Sequence, residues 1–100
     1  MSIPDELCAH PSLLYLRLQD NRITKIPEMF AKSKVQELNL CSNLIEVIPD
    51  FFEKTKIYSA KLNLANNPIK QVANFEKIKT KLTESTIETL SQAGLLPGSS

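Results

Sequence analysis

The residues with obvious chemical capacity are few. The chain has Cys8 and Cys41 as thiols and His10 as its one imidazole. Any Ser-His-Asp or Cys-His arrangement would have to use His10. That residue precedes Pro11 in a stretch that reads as a terminal turn. One histidine and two separated cysteines make no zinc set. Two glycines leave no loop that could cradle a phosphate. Neither an enzyme nor a cofactor is expected. Cys41 falls at an outward strand position, where a thiol can react or simply fill space; the filler reading is preferred, and Cys8 reads as packing. Lys70, Lys77, Lys79 and Lys81 could touch acidic lipid or RNA. Only Lys77 and Lys81 share a helical row, so the group reads as a solvated face.

What does recur at fixed spacing is asparagine, at Asn21, Asn43 and Asn67. Each follows an alternating leucine pair: Leu16 and Leu18, Leu38 and Leu40, Leu62 and Leu64. Period-two alternation predicts a short strand with one buried face. The asparagine then turns the chain, and its amide can satisfy backbone groups of the bend that would otherwise be buried unpaired. Ile23 and Ile26, Ile45 and Ile48, then Ile69 and Val72 return to the same core. The Ile-Pro steps at Pro27 and Pro49 end that segment, and Phe30 and Phe52 plug the far side. The shift is 22 residues from the first unit to the second and 24 from the second to the third. The first apolar position of the third unit falls on Ser59 and is lost, with Ile57 or Tyr58 available to compensate. One coil cannot bury its own apolar face, so neighbours must stack.

The flanks differ. Residues 3–12 read as a partial repeat over the N-terminal edge, with Pro4 opening a helical turn whose dipole favours Asp5 and Glu6. Beyond Val72 the period stops. Asn74 to Leu82 and Thr86 to Ala93 read as helices, the first with Phe75, Ile78 and Leu82 as its stripe. Ser85 and Glu88 suggest a capping box, Ile87 and Leu90 an inner face, and Gly94 a left-handed C-cap. The chain thus divides as one domain over 1–97: a partial repeat at 3–12, repeats at 13–34, 35–58 and 59–72, and a helical cap at 73–97. Residues 98–100 read as a disordered tail.

Net charge is +1, with about −2 in residues 1–50 and +3 in residues 51–100. That balance argues against nucleic acid or membrane as a constitutive partner. No signal-peptide pattern, no apolar run of ~20 residues and no Asn-x-Ser/Thr sequon is present. A cytoplasmic protein is expected, or an exported effector lacking a classical signal.

These residues resemble the leucine-rich repeat family over about residues 3–72. The resemblance implies an α/β fold: a right-handed solenoid with a short parallel sheet on its concave side and a helical C-terminal cap. It also implies protein–protein interaction through that concave face. Ile-Pro followed by Phe30 or Phe52 is similar to the short repeats of bacterial and cytoplasmic members. The cysteine-rich flanking caps of extracellular members are absent. With Leu16 and Leu18 inward, Tyr15, Arg17 and Gln19 point out, followed by Glu37, Asn39 and Cys41, then Lys61, Asn63 and Ala65. Tyr15, Arg17, Gln19, Glu37, Asn39, Lys61 and Asn63 are the candidate protein-binding residues. Strands ~4.8 Å apart give this sheet only ~15–20 Å of width. A standard interface takes ~800 Å² per partner, so loops or the cap would have to contribute. Two other readings stand beside this one: the substrate-recognition part of a ubiquitin-ligase-type or other bacterial effector whose catalytic domain lies elsewhere, and a structural repeat fragment without ligand. The chain is expected to be a monomer or to self-associate weakly through solenoid edges.

Overall fold

The computed structural model describes residues 3, 5–8 and 10–96. In chain order these form α1 (Asp5–Cys8), β1 (Tyr15–Arg17), β2 (Glu37–Asn39), β3 (Val47–Ile48), β4 (Leu62–Asn63), β5 (Gln71–Val72), α2 (Phe75–Ile78) and α3 (Glu84–Gln92). Turns of 3-10 helix lie at Glu28–Lys32, Asp50–Lys54 and Lys79–Lys81. The leucine alternation forms strands as expected. β1, β2 and β4 make a parallel three-stranded sheet in which Leu16 faces Leu38 and Leu38 faces Leu62. A second parallel pair, β3 with β5, was not foreseen; it sets Ile48 against Val72. The molecule is elongated, 42 × 25 × 19 Å.

The core runs between the sheet and the 3-10 turns. Leu38, Leu40, Ile45, Ile48, Leu62 and Leu64 are wholly buried, and so are Phe30 and Phe52. The two rings meet edge to face at 6.1 Å, a favoured aromatic geometry. Pro27 and Pro49 immediately precede their 3-10 turns, and each turn closes on its phenylalanine carbonyl, from Ser33 N–H and Thr55 N–H. The first apolar position of the third unit is not lost at Ser59. Ile57 occupies it at the ordinary 22-residue shift and is buried, while Tyr58 is exposed and fills nothing. Ser59 and Ala60 form the two-residue insertion that lengthens this unit, with Ala60 left-handed at φ 58°.

The N-terminal flank forms its expected helical turn, whereas the C-terminal flank departs from expectation. Ile3 and Cys8 join the core and α1 packs on the 3-10 turn at Glu28–Lys32. The N-terminal segment therefore closes that side of the core and leaves β1 as an edge strand of the sheet. At the other end, the expected helix over 74–82 is broken. α2 gives way to the 3-10 turn at Lys79–Lys81, and Leu82 is extended and bridges Leu62 in parallel. The Ser85–Glu88 capping box does not form. α3 starts one residue before Ser85, and Thr83 is its N-cap, its hydroxyl accepting from Thr86 N–H. Thr83→Ala is expected to cost about 1 kcal/mol, read as a lower urea midpoint at unchanged slope. The C-terminus of α3 is as expected: Gly94 is left-handed at φ 72°, and Gly94 N–H and Leu95 N–H return to Ser91 and Leu90 carbonyls, which is the Schellman pairing. Pro4, Pro97 and the tail at 98–100 lie outside the described residues.

α3 also covers β4. Thr86 Oγ1 accepts from Leu64 N–H at 2.7 Å, and Thr89 Oγ1 from Asn66 N–H at 3.2 Å. Ala60 and Lys61 N–H reach Thr80 and Lys81 carbonyls, and Thr83 N–H reaches Leu62. The strand edge that would otherwise lie open is thus bonded along its length.

Candidate functional site

The exposed face of the three-stranded sheet is laid out by strand register. Tyr15 stands beside Glu37, Arg17 beside Asn39, and Asn39 beside Asn63. The inward leucines force the alternate residues outward: Tyr15 is 61% exposed, while Glu37, Asn39 and Asn63 are half-buried in the sheet surface. Glu37 takes two cations, Arg17 Nη2 at 3.8 Å and Lys61 Nζ at 3.6 Å. Such exposed pairs are worth under about 1 kcal/mol each, so they orient the side chains more than they stabilise the fold. Glu37, Asn39, Lys61, Asn63 and Thr83 line a shallow depression of about 160 Å³.

Two of the candidates are partly committed to the backbone. Asn39 Oδ1 accepts from Cys41 N–H at 3.0 Å, and Asn63 Oδ1 from Ala65 N–H at 3.0 Å. Each ends its strand with a local side-chain turn, leaving its amide NH₂ and one oxygen lone pair for a ligand. The following residues, Ser42 and Asn66, are left-handed at φ 59° and 56°, as is Asp20 in the first unit. Gln19 is exposed at the rim, Cys41 is half-buried and Ala65 is buried. Cys41 Sγ lies 3.4 Å from Ser42 Oγ and 3.8 Å from Asn66 Nδ2. His10 is exposed and accepts from Ser12 N–H.

Behind this face runs the asparagine ladder. Asn43 Oδ1 accepts from Ile23 N–H at 3.0 Å, and its Nδ2 donates to Leu18, Leu40 and Cys41 carbonyls. Asn67 Oδ1 accepts from both Asn43 N–H and Ile45 N–H at 3.1 Å, and its Nδ2 donates to Leu40, Leu64 and Ala65. Each buried amide therefore bonds its own turn and the coil before it. Asn21 has no earlier coil to reach. It is exposed, and its Nδ2 donates only to Leu18 and Gln19 carbonyls.

Leucine pair, turn-forming asparagine and returning isoleucines at one period, joined by this ladder, belong to one known kind of repeat. The Leucine Rich Repeat family model matches residues 12–33 and 34–55. The chain carries leucine-rich repeats. Neither curated proteins nor solved structures gave a match. The matched repeats are the two whose Ile-Pro and Phe positions are intact; the segment from Leu62 to Val72 lies outside the match, and its strands β4 and β5 pair in register with β2 and β3. Leucine-rich repeats generally mediate protein–protein interaction and are not themselves catalytic.

One concavity of this leucine-rich-repeat chain lies away from the sheet face. A groove of about 630 Å³ beside β3 and β5 is lined by Ile26, Leu44, Val47, Pro49 and Pro68, among others. Leu44 and Val47 are 47% and 46% exposed there. Sequence reasoning passed over it. Its available signal was the apolar side chains at two intervening positions of the Asn-x-Ile-x-x-Ile unit, where Arg22 and Lys25 stand one repeat earlier. The lysines at 70, 77, 79 and 81 are each engaged. Lys70 faces Glu46, Lys77 faces Glu53 and Lys79 faces Glu76, while Lys81 Nζ donates to Thr55 and Ile57 carbonyls. Among the described residues no three His, Cys, Asp or Glu side chains gather to hold a metal, and no helix is long and apolar enough to cross a membrane.

Proposed function

We propose that this chain is a protein-interaction module, built as a right-handed leucine-rich-repeat solenoid with residues 73–97 as its helical cap. The sheet face is its concave binding surface. Tyr15, Arg17, Gln19, Glu37, Asn39, Lys61 and Asn63 meet the partner there. The observation that carries this reading is Tyr15, a large aromatic 61% exposed beside the Arg17–Glu37–Lys61 charge row. Tyrosine and arginine are the types that most often dominate binding energy. The strands hold them on a preformed frame, so a partner would meet little ordering cost. Cys8 and Cys41 lie in different units and offer no disulfide framework, and we place the protein in the cytoplasm.

The Tyr15→Ala/Arg17→Ala double variant is expected to lose partner capture from lysate by at least about 30-fold in affinity. Its far-UV circular dichroism melt should overlay the parent's, because neither side chain is in the core. Retained capture would refute the sheet-face assignment. A second surface is favoured by the apolar groove: if capture instead disappears in Leu44→Glu/Val47→Glu, the partner binds there. The reading as the recognition part of a ubiquitin-ligase-type effector requires a catalytic domain supplied elsewhere. A thiol role in this chain itself would instead show as ubiquitin discharge lost on changing Cys41, whose Sγ lies near Ser42 Oγ and Asn66 Nδ2. A structural repeat without ligand predicts no capture by any variant.

A further inference from the structure

The two ends of the sheet are unlike. At β4 every outward group described above is met by residues 80–83, Thr86 or Thr89. At β1 the alternation of a parallel ladder decides what remains. Glu37 N–H bonds Leu14 and Leu18 N–H bonds Asn39, so the even-numbered residues of β1 turn to β2. The N–H and C=O groups of Tyr15 and Arg17 turn the other way, and no described residue pairs with them. The end is also apolar. Leu18 is half-buried where Leu40 and Leu64 are wholly buried, and Leu14 is 39% exposed. An unpaired, apolar edge is a template for another strand.

We propose that the β1 edge pairs antiparallel with the β1 edge of a second copy, giving a two-fold dimer in which Tyr15 faces Arg17 of the other chain. Self-complementarity points to this occupant. Only Tyr15 and Arg17 offer outward backbone groups within β1, so three registers are available. One sets Arg17 against Arg17, like charges directly opposite. One sets Tyr15 against Tyr15 and carries Arg17 past the strand end. The third sets Tyr15 against Arg17 twice over, with four backbone hydrogen bonds and an aromatic–cation contact at each end. That same register brings Leu14 opposite Leu18 on both sides of Leu16, covering the side chains left bare. Head-to-tail stacking is closed off, because the β4 edge is already bonded to the C-terminal segment. A two-fold contact satisfies itself and stops at two chains.

The surface is small against a standard interface, so a weak dimer is expected, with Kd on the order of 10–100 μM. Sedimentation velocity from roughly 1 μM to 1 mM should show the mass rising from 11.2 kDa toward twice that value. Arg17→Pro removes an outward N–H without touching the β2 ladder, and proline is compatible with an edge strand. It should weaken dimerisation at least tenfold. Leu14→Glu, at an exposed position, should do the same by placing a charge against Leu18. Circular dichroism melts identify any variant that is merely unfolded. Lys61→Ala, on the sheet face away from this edge, should leave the dimer intact; it separates this proposal from the partner-binding reading, which can fail without it. Mass constant at 11.2 kDa up to the highest concentration, dimers undiminished in both edge variants, or dimers lost in Lys61→Ala would each overturn it.

Discussion

Asn67→Ala should remove about 3–5 kcal/mol of stability, the largest loss expected from a single polar side chain here. Its carboxamide is buried and makes five hydrogen bonds, three to carbonyls and two from amides. Truncation strands Asn43 N–H and Ile45 N–H in the core and frees the Leu64 carbonyl, while the Leu40 carbonyl keeps Asn43 Nδ2 and the Ala65 carbonyl keeps Ser42 N–H. Each buried group left unmet costs about 1–3 kcal/mol, with some relief where water enters. A domain of this size has a total stability of only about 5–15 kcal/mol, so the variant should be partly unfolded near 37 °C. Urea titration reads the effect as a lower midpoint with unchanged slope. Asn67→Asp keeps the size but turns a second oxygen toward three carbonyls, so it should rescue nothing. Asn21→Ala is the control: its amide is exposed and serves only its own turn, and the cost should stay under about 0.5 kcal/mol. Equal losses at Asn21 and Asn67 would mean that the ladder is not what holds neighbouring coils.

Phe52→Ala should cost a similar amount, about 3–5 kcal/mol, by a different route. The ring is wholly buried, 6.1 Å from Phe30 and 5.0 Å from Phe51. It occupies the layer that the 3-10 turns share, so its removal leaves a cavity bordered by rigid backbone. At about 4–8 °C per kcal/mol for a domain of this length, Tm should fall by roughly 15–30 °C. Phe51→Ala, half-buried beside it, should cost about 1–2 kcal/mol. Phe52→Leu retains most of the volume and should cost under about 1.5 kcal/mol. A Phe51 effect as large as that of Phe52 would contradict the packing described.

Much of this was legible because it repeats. Leu16, Leu38 and Leu62 share one slot, Asn21, Asn43 and Asn67 another, and repetition lets each position be read three times. The misreadings fall where repetition fails. Ser59 and Ala60 are an insertion, and counting through them put the lost apolar position at Ser59, although Ile57 sits in the core at the regular spacing. Helical spacing joined Phe75, Ile78 and Leu82, but Leu82 answers to Leu62 across the sheet, a tertiary demand with no local sign. Thr83 and Ser85 are both good caps; the bridge at Leu82 decides between them by fixing where the extended chain stops. On the candidate face, alternation set Tyr15, Arg17, Glu37, Asn39, Lys61 and Asn63 outward, but Ala65, expected in the same column, is buried. Alternation could not tell that Asn39 and Asn63 spend their oxygens on Cys41 and Ala65, though the shared Asn-Leu step was there to suggest a common local role.

The ladder also has a direction in time. Asn43 secures the backbone of the coil made before it, and Asn67 does the same for the coil of Asn43; Thr86 and Thr89 then secure the amides around Asn67. Every link is thus made by a later residue acting on an earlier one. During synthesis the first coil emerges with its Ile23 amide unanswered, and it stays so until Asn43 arrives, whose own amide in turn waits for Asn67. Each coil is therefore locked only once the next one has been made. In the finished protein the slowest amide protons to exchange should be those of Asn43 and Ile45, with protection declining toward Tyr15 as the first coil opens ahead of the rest.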